Sequence, residues 1–75
     1  MNPTQCDQIL EYMRTFGTIT QLDALRDIGC MRLASRISDL RSQGYAIGRR
    51  MKTGKNRYGK DVTFAEYYLE EDNYE

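Results

Sequence analysis

The sequence predicts a mainly α-helical chain with a C-terminal β-hairpin, an α+β fold of three helices followed by two strands. Three observations carry this expectation. Apolar residues recur every three or four positions as far as Gln43. After Gly44 that spacing gives way to alternation. Cap and stop residues stand at the joints between segments. With 75 residues and 8.8 kDa there is room for a single domain over 1–75. Its helices are expected near 4–16, 20–28 and 31–43, its hairpin near 45–69, and an acidic tail at 70–75.

The first helix opens at Thr4, with Asp7 three residues on as the reciprocal cap. Cys6, Ile9, Leu10, Met13 and Phe16 form one apolar stripe, and Gly17 ends the helix. Ile19 follows in a short extended link. Thr20 and Asp23 repeat the cap signature, and Leu22, Ala24, Leu25 and Ile28 supply the inner face of a second helix stopped by Gly29. In the third helix Leu33, Ile37 and Leu40 fall within about 60° of one another and face the core. Ala34 lies at their edge, and Gly44 caps the end. Beyond it, Tyr45, Ile47, Arg49 and Met51 alternate with Ala46, Gly48, Arg50 and Lys52. A polar, turn-rich stretch from Thr53 to Lys60 leads into Val62–Leu69, rich in β-branched and aromatic residues. There Ala65, Tyr67 and Leu69 are expected inward, with the opposite register as the alternative.

Composition narrows the function. The chain has no histidine, which excludes histidine general bases, most zinc sites and Ser-His or Cys-His pairs. No glycine-rich phosphate loop or metal-ligand constellation is present, so the reading is a non-enzyme without cofactors. Cys6 and Cys30 have no CxxC spacing and read as small buried hydrophobes in a reducing compartment, with a disulfide between them as the alternative. No apolar run reaches the length of a bilayer span, and no signal-peptide segment follows Met1. A small cytoplasmic domain away from membranes is the expectation.

Eleven basic and eleven acidic residues cancel to a net charge of zero, but they are segregated along the chain. Residues 1–29 carry a balance of −2, residues 30–60 a balance of +8, and residues 61–75 a balance of −6. The basic third comprises the third helix and the hairpin, elements able to share a face. Such a patch points to a polyanion.

The outer side of the third helix is low, because Ser35, Ser38 and Ser42 stand on it. A helix of that profile fits a groove about 12 Å wide, the width of the major groove of B-DNA. Arg32 and Arg36 stand one turn apart near its N-terminal end, with Met31 just before them; an arginine can donate two hydrogen bonds to guanine. Asp39 either orients one of these arginines, accepts from a cytosine amine, or pairs along the helix with Arg36 or Gln43. In the hairpin, Lys52, Lys55, Asn56, Arg57 and Lys60 are suited to a phosphate backbone or minor groove, with Tyr58 as a further donor. The alternative is a solubilising hairpin tip. Thr20 and Gln21 open the second helix, where free amides can receive a phosphate. The alternative is capping alone, and for Thr20 the two roles are compatible.

Gly17-Thr18-Ile19-Thr20-Gln21-Leu22-Asp23-Ala24-Leu25, then Gly29-Cys30-Met31-Arg32-Leu33-Ala34-Ser35-Arg36-Ile37-Ser38-Asp39-Leu40-Arg41, then Gly44-Tyr45-Ala46-Ile47, resemble a small winged helix-turn-helix family. Its members are frequent among phage and prophage reading frames. The resemblance covers residues 4–69 and is most specific from Ser35 to Arg41. It implies binding to double-stranded DNA, with Arg32, Ser35 and Arg36 in the recognition helix and Lys55 to Lys60 as the wing. The interval from Gly29 to Ile37 is longer than a compact helix-turn-helix allows, which implies a looser turn. The implied roles are a transcriptional regulator or recombination accessory factor, acting alone or as a homodimer on DNA. The rival reading is a protein-binding winged helix, an adaptor or inhibitor of host machinery. Six tyrosines, Met31 and the acidic C-terminal end supply its anchors.

Overall fold

The computed structural model describes residues 4–70, so the acidic tail beyond Glu70 lies outside the described residues. Helix α1 (Gln5–Phe16) starts as expected. The Thr4 hydroxyl accepts from the Asp7 amide, and the Asp7 carboxylate accepts from the Thr4 amide, each at 3.2 Å. This exchange satisfies donors that every helix start leaves open. Ile9, Leu10 and Met13 are buried. Phe16 departs from the predicted stripe: it is 67% exposed, its ring 4.6 Å from that of Tyr12 on the helix flank. It is the last residue of α1, and no described element covers it.

The link at Ile19 is a strand, β1 (Ile19–Thr20), paired antiparallel with the later β3. Ile19, fully buried, lies opposite Tyr67. Helix α2 (Gln21–Asp27) then opens on a second capping box between Thr20 and Asp23. Its inner face differs from the expectation. Ala24 is buried and Ile28 partly so, whereas Leu22 and Leu25 are 65% and 49% exposed. Two residues apart on a helix lie on nearly opposite sides, so Leu22 cannot share a face with Ala24. The small Ala24 lets α2 sit close to the core. A polar network ties α2 to α1: the Tyr12 hydroxyl donates to Asp27 at 2.7 Å, and Arg26 donates to Asp27 and Asp23 at 3.1 Å. Arg26 first, and then Tyr12, hold the Asp27 carboxyl below its ordinary range.

Helix α3 (Leu33–Ser42) starts two residues after the predicted Met31. The cause lies in the turn. Gly29 takes a φ of +80°, which L side chains rarely adopt, and the amides of Ile28 and Cys30 both bond to the Ala24 carbonyl at 3.0 Å. Cys30 then passes into the core at 1% exposure before the chain turns out again. Met31 and Arg32 therefore precede the helix. Leu33, Ile37 and Leu40 are each 1% exposed, as their spacing predicts. Both cysteines are free, and burial pushes the Cys6 thiol up.

Strands β2 (Ile47–Lys55) and β3 (Asp61–Leu69) form the hairpin, and the sheet order is β1-β3-β2. Strand β2 begins at Ile47, later than expected, because the Tyr45 amide still bonds back to the Leu40 carbonyl at 3.2 Å. Thr53 to Lys55 belong to the strand, so the turn is confined to 56–60. Tyr67 is buried, with Ala65 and Leu69 partly so, which is the predicted register. The core joins them with α1, β1, Ala24, Cys30, α3 and Ile47. Strand β1 reaches only Glu66 and Tyr67, so the hairpin runs on past it as a two-stranded ribbon. The arrangement is a winged helix-turn-helix fold.

Candidate nucleic-acid interface

The first turn of α3 lacks a cap of its own. Arg32 occupies the cap position and offers no side-chain acceptor. Gln21 supplies one from α2: its Oε1 accepts from the Leu33 amide at 2.9 Å, while its Nε2 donates to the Cys30 carbonyl at 2.8 Å. One side chain thus clamps the turn and fixes the angle between α2 and α3. Both polar ends of the Gln21 side-chain amide are engaged within the domain, while the phosphate expected at this helix start would meet backbone amides. The signal was present, since a helix opening on Arg-Leu needs its acceptor from elsewhere. Gln21→Ala is expected to lower stability by about 1–3 kcal/mol, the cost of leaving such groups unpaired, in urea denaturation. Gln21→Glu, which keeps the acceptor for Leu33, is expected to lose less. Thr20 is also engaged, its hydroxyl capping α2 beside the Asp23 carboxylate.

On α3 itself, Ala34, Ser38, Asp39 and Ser42 are exposed, and Ser35 and Arg36 partly so. The Arg36 guanidinium meets the Asp39 carboxylate at 3.4 Å, one turn along the helix. Of the alternatives for Asp39, this is the contact the structure contains. Arg41 turns away from the outer face. Its Nε and Nη2 donate to the Ile47 carbonyl at 3.2 and 2.9 Å, tying the end of α3 to the start of β2. Arg32 and Met31 stand at the head of the helix, Met31 at 78% exposure.

Cross-strand register distributes the hairpin cations. Lys55 opposes Asp61 on the face that carries Ile47 and Tyr67, and its ammonium bonds to that carboxylate. Lys52 falls on the opposite face with Arg50, so Lys52 and Lys55 do not line one surface. Arg50 is engaged as well, by Glu66 at 2.9 Å and by stacking 4.8 Å from the Tyr68 ring centroid. That bond is the main reason the Glu66 carboxyl lies below its ordinary range. Gly48 leaves room for the end of the Tyr68 ring in this cluster, and a side chain there would push the ring aside.

At the tip, Asn56 builds the turn. Its Oδ1 accepts from the amides of Tyr58 at 2.9 Å and Lys60 at 3.0 Å. Arg57 and Lys60 are left exposed on either side of Tyr58. Among the described residues, Arg32, Arg41, Arg49, Lys52, Arg57 and Lys60 are the cations of α3, its approach and the hairpin that make no ion pair. A groove of about 520 Å³ opens between the starts of α2 and α3 and strand β3, lined by Leu22, Leu33, Ala34, Phe64 and Ala65 among others. Sequence reasoning did not anticipate it, having placed Leu22 in the core.

The described residues contain no helix long and apolar enough to cross a membrane. No curated protein matches the chain. The winged helix-turn-helix domain family matches residues 4–72. With that match spanning nearly the whole sequence, and with three helices, the short β1 and the basic hairpin in their order, the chain belongs to the winged helix-turn-helix domain family, whose fold points to DNA binding.

Proposed function

We propose that this domain binds duplex DNA, with α3 in the major groove and the hairpin on the flanking backbone. We further propose that it acts in the cytoplasm as a phage or prophage transcriptional regulator or recombination accessory factor. The observation that carries the DNA reading is the set of cations without ion pairs at α3 and the hairpin, beside a helix surface of alanine and serine. The narrower biological role rests on the resemblance to phage and prophage proteins. A single module of this kind buries roughly 600–1,000 Å² on DNA and selects its site weakly, so pairing on DNA or with a protein partner belongs to the proposal.

The test is fluorescence anisotropy with a random-sequence duplex at low salt, followed by a duplex selected from a random pool. Micromolar binding to the random duplex supports the proposal, and absence of binding at about 50 mM salt overturns it. Arg32→Ala is expected to weaken binding to the selected duplex by about 1–3 kcal/mol and the random duplex by less. Equal losses on both would place Arg32 on the backbone. Arg57→Ala is expected to weaken both equally.

A second reading, as a protein-binding adaptor or inhibitor, has one observation in its favour. Between α1 and α2 lies a groove of about 460 Å³, lined by Asp7, Glu11, Tyr12, Phe16 and Asp27 among others. The exposed Phe16 beside those carboxylates suits a partner that presents cations and apolar groups together.

A further inference from the structure

We propose that the head of α3 reads thymine 5-methyl groups through Met31 and Ala34, so that the target contains thymine where the start of the helix meets the major groove. The inference rests on the DNA reading and adds which chemistry is recognised.

The two arginines within this helix already have partners, Arg41 on β2 and Arg36 on the helix surface itself. Arg36 is paired with Asp39 at 3.4 Å, and Arg41 donates twice to the Ile47 carbonyl. What α3 offers outward at its start is apolar or small. Met31 is 78% exposed, Ala34 is exposed, and Ser35 and Ser38 follow. This surface continues into the groove lined by Leu22, Ala34, Phe64 and Ala65, where Leu22 is 65% and Phe64 39% exposed. Exposed methionine and leucine beside a basic surface call for an apolar feature on the ligand. Base edges in the major groove carry one methyl group, the 5-methyl of thymine, where cytosine has only a C–H. Arg32, unpaired beside Met31, remains for a neighbouring guanine or a phosphate.

The experiment uses the full chain and a 30-base-pair duplex taken from selection on a random pool. Each thymine is replaced in turn by uracil, which removes the methyl and leaves every hydrogen-bonding group in place. The expected result is a loss of about fourfold in affinity at one or more positions, the value of one buried methyl group. Met31→Ala and Ala34→Ser, both at exposed positions and checked for folding by circular dichroism, are expected to bind thymine and uracil duplexes alike at those positions. Equal affinity of the parent protein for all uracil duplexes overturns the inference while leaving DNA binding intact. A uracil penalty that persists in both variants also overturns it, assigning the methyl contact to other residues. Failure to bind any duplex at low salt removes the DNA reading itself, and the inference with it.

Discussion

Between about 50 and 200 mM salt, affinity for a random duplex is expected to fall by roughly a hundredfold to a thousandfold. Each phosphate neutralised by a cation releases condensed counterions, so log K falls against log salt with a slope near −0.9 per contact. Among the described residues, the cations of α3, its approach and the hairpin without an ion pair are Arg32, Arg41, Arg49, Lys52, Arg57 and Lys60. Engagement of about four to six phosphates gives a slope of about −3.6 to −5.4. Arg41 and Lys52 are the weaker contributors, one bonded to the Ile47 carbonyl and the other on the far face of the ribbon. Arg57→Ala is expected to flatten the slope by about one unit. Lys55→Ala tests the ion pair, since removing Lys55 leaves the Asp61 carboxylate without its partner. Titrations at several salt concentrations measure both. A slope near zero would show that this surface does not meet phosphates.

Leu40→Ala is expected to cost about 2–5 kcal/mol. Leu40 is 1% exposed in the last buried turn of α3, and its carbonyl receives the amides of Gln43 and Tyr45 as the chain turns toward β2. Truncation leaves a cavity where α3 meets the core, and a domain of this size holds a net stability of only about 5 kcal/mol. The midpoint of thermal unfolding, followed by circular dichroism, is expected to fall by about 10 °C or more. Ser38→Ala, on the exposed side of the same helix, is the control and is expected to change the midpoint little. An unchanged midpoint in Leu40→Ala would remove Leu40 from the load carried by the core.

The parts legible in the sequence were those governed by neighbours a few residues away. The caps at Thr4 and Thr20, the stripe Leu33–Ile37–Leu40 and the alternation Ala65–Tyr67–Leu69 all depend on local spacing. Features set by distant partners were not legible. Strand β1 exists because Ile19 and Thr20 meet Tyr67 and Glu66 from the far end of the chain. The Gln21 side chain's acceptance from the Leu33 amide was not legible because it depends on how two helices cross. Helix α2 spans about two turns with apolar residues on more than one side, and packing against the core, not pattern, selects Ala24 over Leu22. The basic residues of 30–60 lie on α3, its approach and the hairpin. Which of them pair was not legible, because cross-strand register sets Asp61 against Lys55 and Glu66 against Arg50.

The two-residue length of β1 has a mechanical consequence. Beyond Glu66 the hairpin strands have only each other, and an isolated pair of strands is marginally stable. Near Tyr67, the third strand and the core hold the same hairpin in place. Backbone amides should therefore exchange with solvent quickly along the outer ribbon and slowly at its root, a gradient within one element. The domain is a stiff body bearing a compliant arm, able to follow the curvature of whatever it touches while α3 keeps its seat.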